Sequence, residues 1–186
     1  MSRRLVYVMG PSGVGKDSVL GWLKAQAPAG PVVHFARRTV TRPVDAGGEE
    51  HEALSVEAFE QQVQADAFAL HWQANGLRYG VRHGQLTPLR QGQCVLVNGS
   101  RGHLSQALDA YPDMTVVHIT ARPDTVRERL LARGRETADE VEARLQRARA
   151  FVAPPGAHRI ANDGALQDAG LALLHIMGRL GAHRDA

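Results

Sequence analysis

Five consecutive apolar residues at 5–9 run into a glycine-rich turn, and the segment that follows, 17–26, carries its apolar positions at helical spacing. The same alternation returns in the second half of the chain. Short apolar runs predict strands at 94–97, 115–120 and 158–161. Amphipathic stretches predict helices near 104–109, from 124 to about 133, over 138–151 and from about 166 to 180. A further strand is predicted near 32–35, after Pro28, Gly30 and Pro31 stop the first helix. Strands that are apolar throughout and separated by helices belong to a parallel sheet covered on both faces and wound by right-handed crossovers. The fold class is therefore α/β, three layers around a parallel central sheet.

The middle of the chain breaks this rhythm. Residues 41–50 are polar, contain Pro43, Gly47 and Gly48, and read as a loop suited to contacts rather than core. Ser55 is placed as the N-cap of a helix whose apolar face starts at Phe59. Residues 68–73 and 77–81 flank Asn75-Gly76, a hairpin turn in which both positions tolerate positive φ. A small insert containing β structure is expected here, and only the ends, 1–4 and 182–186, are expected to fray.

A length of 186 residues suits one domain able to bury about 70% of its unfolded surface, so no disulfide scaffold is required. Cys94, the sole cysteine, lies in the apolar run QCVLV and reads as a small core residue. No run approaches the roughly 18 apolar residues of a membrane span, and no targeting segment is visible, so the expected location is the cytoplasm. Lys and Arg total 22 against 19 Asp and Glu, nearly all of the positive charge being Arg. Arginine's planar fork matches phosphate oxygens, although composition alone shows no more than a preference for Arg. Aromatics form 5% of the chain, too few to interleave a nucleic-acid surface. A homodimer is compatible with the sequence without being specified by it.

The chemistry is concentrated in Gly10-Pro11-Ser12-Gly13-Val14-Gly15-Lys16, a G-x-x-x-x-G-K phosphate loop between a predicted strand and a predicted helix. Its glycines let successive N–H groups converge on phosphate oxygens, the helix adds its positive end, and Lys16 bridges the β- and γ-phosphates of ATP. Where such loops usually place Ser or Thr for Mg²⁺, this one has Asp17, followed by Ser18. Asp17 either binds the metal, directly or through water, or stabilises the helix N-terminus. Both readings stand at this level.

The run GPSGVGKDS, the Thr-x-Thr-Arg stretch at 39–42, Tyr79-Gly80 after the hairpin and the Arg-rich 129–147 together resemble the guanylate kinase family over essentially the whole chain. Within it, GKDS and the LVNGSR segment at 96–101 are most similar to the ribose 1,5-bisphosphate phosphokinases. The resemblance implies a three-layer P-loop kinase fold forming a single domain, with a substrate-binding insert at about 36–91 and an Arg-rich lid at about 129–147. It implies ATP-dependent phosphorylation, with Mg²⁺, of a small phosphorylated sugar: ribose 1,5-bisphosphate would become 5-phosphoribosyl 1-diphosphate.

Arg42 and Tyr79 stand at family positions that grip the acceptor phosphate. Asp45 replaces a second arginine and His51 a first tyrosine, while His71 precedes Trp72 where a guanine-reading glutamate would stand. Residues 97–100 lack the family's guanine-reading aspartate. A site stripped of the groups that read a purine should reject GMP. His51, His71, Asn98, Ser100 and Arg101 are instead expected to face a sugar phosphate, with His51, His71 or Arg101 taking a second phosphate; taken by itself, His71 reads as a half-buried strand histidine.

The lid is expected to supply Arg129 toward ATP and Arg133, Arg135 and Arg144 toward the transferring group. Arg144 and Arg147 lie on one helical face. The bland alternative is a solvated helix paired with Glu128, Glu136, Glu140 and Glu142. Asn162, in Asn162-Asp163-Gly164, falls at the family's adenine-binding loop, or in an Asx turn, or both. Two other functions remain open, a true guanylate kinase and a non-catalytic binding module. The module reading fits poorly with the retained Lys16.

Overall fold

The computed structural model describes residues 2–26, 33–43, 49–132, 134 and 137–182. A five-stranded parallel sheet forms its centre, in the order β2 (Val33–Phe35), β7 (Cys94–Asn98), β1 (Leu5–Met9), β8 (Thr115–Thr120), β9 (His158–Ala161). β1 is buried along its whole length because it lies mid-sheet, paired with β7 on one side and β8 on the other. Its alternation serves two cores. Val6 and Val8 face a cluster built with Val19, Leu23, Ile119, Leu173 and Met177, whereas Leu5, Tyr7 and Met9 face Val95, Val97, Leu104 and Val116.

Helices α1 (Lys16–Gln26), α5 (Pro123–Ala132), α6 (Ala138–Arg149) and α7 (Leu166–Ala182) contribute to the first cluster, and α4 (Leu104–Ala110) to the second. In α7, Ala169, Leu173, Ile176 and Met177 make the helical stripe that meets α1. α6 starts at a capping box: Thr137 accepts from the Glu140 amide, and the Glu140 carboxylate accepts from the Thr137 amide. Cys94 is buried in the core, where burial raises its thiol pKa.

A second sheet, in the order β4 (His51–Ala53), β3 (Arg38–Val40), β6 (Leu77–Arg82), β5 (Phe68–Ala74), occupies the stretch where an insert is expected. The β5–β6 hairpin turns at Asn75 (φ 51°) and Gly76 (φ 75°). Ser55 caps α2 (Val56–Gln64) by accepting from the Ala58 amide at 3.1 Å, and Phe59 of α2 stacks on Phe68 at 4.7 Å.

The sequence reading did not place β3 and β4. Each is three residues long, too short to show a period, and the polar side chains that obscure them are structural. Thr39 donates to Glu52, and Glu52 accepts a two-pronged contact from Arg82 at 2.8 Å on each arm. Leu70, Trp72 and Val81 carry the small sheet's apolar face into the second core. α3 (His83–Leu86) and a 3₁₀ turn (Thr87–Gln91) return the chain to β7. Among the described residues no helix is long and apolar enough to cross a membrane.

Candidate active site

The phosphate loop leaves the C-terminal end of β1 and is held from below. Gly13 (φ 89°) and Gly15 (φ 82°) adopt conformations that L side chains avoid, and a Cβ at Gly15 would lie 2.6 Å from the Asn162 amide nitrogen. Val14 is fully buried, and its carbonyl accepts from Asn162 Nδ2 at 2.7 Å and from Arg129 Nη1 at 3.2 Å. Asn162 is 2% exposed, so it sits beneath the loop as a brace. Its neighbour Asp163 accepts from the Arg122 amide at 2.7 Å, at the start of α5. α1 begins at Lys16, which leaves its first amides unpaired by the helix and directed at the loop.

Lys16 reaches across to β7. Its side chain is 15% exposed, and its ammonium donates to Asn98 Oδ1 and lies 3.5 Å from Asp17 Oδ1. Burial lowers the Lys16 pKa, and the nearby carboxylates of Asp17 and Glu49 oppose that effect. Burial pushes the Asp17 carboxyl upward, but Lys16, the Asn98 amide and Arg38 outweigh it and hold the group below its ordinary value. Asn98 is the junction of the site: Nδ2 donates to Asp17 Oδ1 at 3.1 Å and also to Glu49.

Opposite the loop, the small sheet supplies the other wall of a cleft of about 230 Å³ lined by Lys16, Arg38, Arg42, Glu49, Trp72, Tyr79 and Ser100. Trp72 stacks on Tyr79 at 5.5 Å and on His103 at 5.1 Å, fixing the tyrosine ring at the cleft edge. The Arg38 guanidinium lies 4.9 Å from the Tyr79 ring centre. Arg42 is half-buried, and its Nε has no hydrogen-bond partner among the described residues.

Ser100 is positioned from β1: the Tyr7 hydroxyl donates to the Ser100 carbonyl and accepts from the Ser100 amide, both at 2.9 Å. The intervening Gly99 lies against the Tyr7 ring, where a Cβ would come within 2.1 Å of Cζ. Burial drives the Tyr7 phenol up to about 12, despite the Ser100 amide and Arg38.

The remaining expected residues fall elsewhere. His51 is buried with Nδ1 3.0 Å from the Glu49 carbonyl and Nε2 3.0 Å from the Arg42 carbonyl, so both ring nitrogens are engaged in holding the loop's two ends. His71 is exposed on the face of β5 opposite Leu70 and Trp72, because strand alternation turns it away, and it does not line the cleft. It is therefore not the half-buried strand histidine that one sequence reading allowed.

Arg101 packs its guanidinium 5.1 Å over the Phe151 ring, with Nη1 3.4 Å from the Ala148 carbonyl; this ties the segment after β7 to the end of α6 and away from the cleft lining. Arg144 donates to Ser12 Oγ at 2.7 Å, so the helix of the expected lid already touches the loop. Arg133, Arg135 and Asp45 lie outside the described residues. Two charged cleft residues, Arg38 and Glu49, escaped the sequence reading, as did Tyr7, buried behind Ser100. Arg38 shares strand parity with Val40 and Arg42, a signal readable only once 38–40 is recognised as a strand.

This arrangement, a braced phosphate loop facing a second cleft wall of arginine and tyrosine on a parallel α/β sheet, defines a P-loop kinase of the guanylate kinase class. The sequence matches the guanylate kinase family over residues 2–169, and the crystal structure of guanylate kinase from Anaplasma phagocytophilum superposes with a TM-score of 0.69, covering 94% of this chain and 84% of that one at 16% identity. A gluconokinase from Sinorhizobium meliloti shares the fold at a TM-score of 0.53 and 17% identity, covering 97% of this chain and 95% of that one. Much greater likeness is found to "Ribose 1,5-bisphosphate phosphokinase PhnN" of Burkholderia pseudomallei, 46% identical over 95% of this chain and 96% of that protein. The proteins of the same name from Azotobacter vinelandii (46%; 95% and 97% covered) and Agrobacterium fabrum (41%; 93% and 95% covered) are similarly alike. The chain belongs to the ribose 1,5-bisphosphate phosphokinase family.

Proposed function

We propose that the protein transfers the γ-phosphoryl group of ATP to the 1-phosphate of ribose 1,5-bisphosphate, giving 5-phosphoribosyl 1-diphosphate and ADP. The observation that carries this reading is a cleft in which the phosphate-loop lysine faces Arg42 and Tyr79. No carboxylate lines that cleft from β5 or β6, where a purine edge would need one. Relatives 41–47% identical over most of their length carry the same activity in their names.

Phosphoryl transfer demands alignment and positive charge more than covalent chemistry. The loop amides and Lys16 take the β- and γ-phosphates; Arg42 and the ring-braced Tyr79 orient the accepting phosphate. That acceptor is already an anion near neutral pH, its second pKa being about 6, so no side chain has to remove a proton.

Arg133, Arg135 and Arg144 belong to a lid at about 129–147 that closes over the reacting groups and excludes water. Arg129 and Asn162 act by bracing Val14 of the loop. The small sheet is the acceptor-binding insert. Asp17 fits a hard cation: it is an ionised oxygen donor, its side chain 61% exposed, and its Oδ2 has no hydrogen bond among the described residues. Asp17 would hold Mg²⁺, which when bound supplies positive charge to the phosphate oxygens. ATP use and a buried lone cysteine suit the cytoplasm.

The test follows ADP release with MgATP and, separately, ribose 1,5-bisphosphate, GMP, AMP and gluconate. ADP is expected only with the ribose bisphosphate, and Lys16→Ala should abolish it. Turnover of GMP with none of the sugar bisphosphate, or undiminished turnover by Lys16→Ala, overturns the proposal.

A further inference from the structure

A sugar bisphosphate presents two phosphates, and only one accepts the transferred group. The other needs a cation of its own. Among the described residues lining the cleft the cations are Lys16, Arg38 and Arg42. Lys16 belongs to the nucleotide, and Arg42 with Tyr79 belongs to the accepting phosphate. His51, His71 and Arg101, each expected at the second phosphate, are engaged or turned elsewhere. A larger cavity of about 550 Å³ opens beyond Asp17 and Asn98, but its floor is Leu20, Phe35 and Leu96. Its rim cations, Lys24 and Arg37, are 3.3 and 4.0 Å from Glu50. Arg38 is left.

Its geometry suits the task. The side chain is 12% exposed, so its charge is poorly screened by water. Nε is held by the Glu49 carboxylate, Nη1 donates to the Asn98 carbonyl at 3.1 Å, and Nη2 has no hydrogen-bond partner among the described residues. Glu49 is itself 25% exposed, lines the cleft, and also accepts from Asn98 Nδ2. A carboxylate on an arginine fork occupies the same place, with the same charge sign, as a phosphate would.

We propose that Arg38 binds the distal, non-reacting phosphate of a sugar bisphosphate acceptor, and that Glu49 serves as an internal counter-anion which that phosphate displaces. The proposal rests on the ribose 1,5-bisphosphate reading above and names the residue that selects a bisphosphate over a monophosphate. Guanidinium donors lent to the distal phosphate supply selectivity; the carboxylate keeps Arg38 compensated and aimed while the cleft is empty.

The experiment measures kcat and KM with MgATP for ribose 1,5-bisphosphate and for ribose 1-phosphate, which has the accepting phosphate and lacks the distal one. Wild type should prefer the bisphosphate by roughly 10- to 100-fold in kcat/KM, the factor expected for a charged hydrogen-bonded contact. Arg38→Ala should erase most of that preference by raising KM for the bisphosphate far more than for ribose 1-phosphate, with Arg38→Lys intermediate. Glu49→Gln should lower the bisphosphate KM severalfold relative to the KM for ribose 1-phosphate. An equal loss on both substrates in Arg38→Ala assigns the residue to holding the fold and overturns the proposal, as does an unchanged preference; an unaltered KM in Glu49→Gln removes the counter-anion. Absence of wild-type turnover with the bisphosphate refutes the function itself, an outcome distinct from turnover without selectivity.

Discussion

Tyr7→Phe removes one oxygen from a strand side chain that is otherwise fully buried, and the structure fixes what that oxygen does. It makes two 2.9 Å hydrogen bonds to the backbone of Ser100, one as donor and one as acceptor. At about 0.5–1.5 kcal/mol net each, the pair stabilises the fold by about 1–3 kcal/mol at neutral pH. For a domain of this size that corresponds to a melting temperature lower by roughly 2–10 °C. The phenol's pKa of about 12 adds a second, sharper signature. A group whose pKa is raised in the folded state contributes fully below its unfolded pKa and loses that contribution as pH rises through the folded value. The window here therefore runs from about pH 10 to about pH 12, with roughly 1.4 kcal/mol lost by pH 11 and about 2.7 kcal/mol beyond the window. Other tyrosines and the lysines titrate in the same range, so the measurement is the difference between wild type and Tyr7→Phe in urea unfolding free energy at pH 8 and pH 11. The gap should narrow by about 1.4 kcal/mol. A gap that is constant with pH, or wider at pH 11, refutes the buried, doubly bonded phenol and with it the account of how Ser100 is held in the cleft.

Asp17→Ala should abolish turnover, while Asp17→Asn keeps part of it and needs more Mg²⁺ for half-maximal rate; wild-type activity in both variants removes Asp17 from metal binding. Arg144→Ala should lower kcat by roughly 10- to 100-fold and move the melting temperature by less than about 2 °C, because its contact to Ser12 is exposed; an unchanged kcat takes Arg144 out of the lid's chemistry. Asn162→Ala should cost about 1 kcal/mol, since one buried donor to Val14 is lost while Arg129 remains, and should raise the KM for ATP severalfold. Asn162→Asp should be worse, with a carboxylate turned against the Val14 carbonyl; equal affinity for ATP in wild type and both variants would show that the brace beneath the loop is dispensable.

The core was legible from the sequence because its pattern is long and redundant. The strands at 115–120 and 158–161 fall where the apolar runs place them, and the helices agree to within a few residues. Asn75-Gly76 announced its hairpin, since few dipeptides adopt positive φ in succession. The acceptor wall was harder to read. Thr39 and Glu52 look like surface residues until β3 and β4 pair and bring them together, which depends on contacts across 13 residues of sequence. His71 stands beside Trp72 in the chain, but adjacent strand residues face opposite sides, so neighbourhood in sequence was the wrong guide to neighbourhood in the cleft. His51 looked like a polar group awaiting a ligand. Its two carbonyl partners at Glu49 and Arg42 come from a loop closure that residue identity does not reveal.

The two halves of the cleft are built on different principles, and Asn98 joins them. The nucleotide half is part of the main sheet: Val14 is buried in its core, Gly10 lies against the Ile119 carbonyl, and Lys16 opens a helix packed on α7. The acceptor half is a small sheet in which Trp72 packs into the second core while Arg38 meets the main sheet through hydrogen bonds and charge. At the seam, Asn98 Oδ1 accepts from Lys16, Nδ2 donates to Asp17 and Glu49, and its carbonyl accepts from Arg38. An amide is the one neutral side chain of this reach that offers both an acceptor and two donors. It lets an ammonium and two carboxylates share a site with Asn98 only 3% exposed, without adding a charge of its own. A phosphate arriving at Lys16 and one arriving at Arg38 therefore disturb partners of the same residue. Asn98→Ala is accordingly expected to weaken any dependence of the KM for one substrate on the concentration of the other, and an undiminished dependence would take Asn98 out of that role.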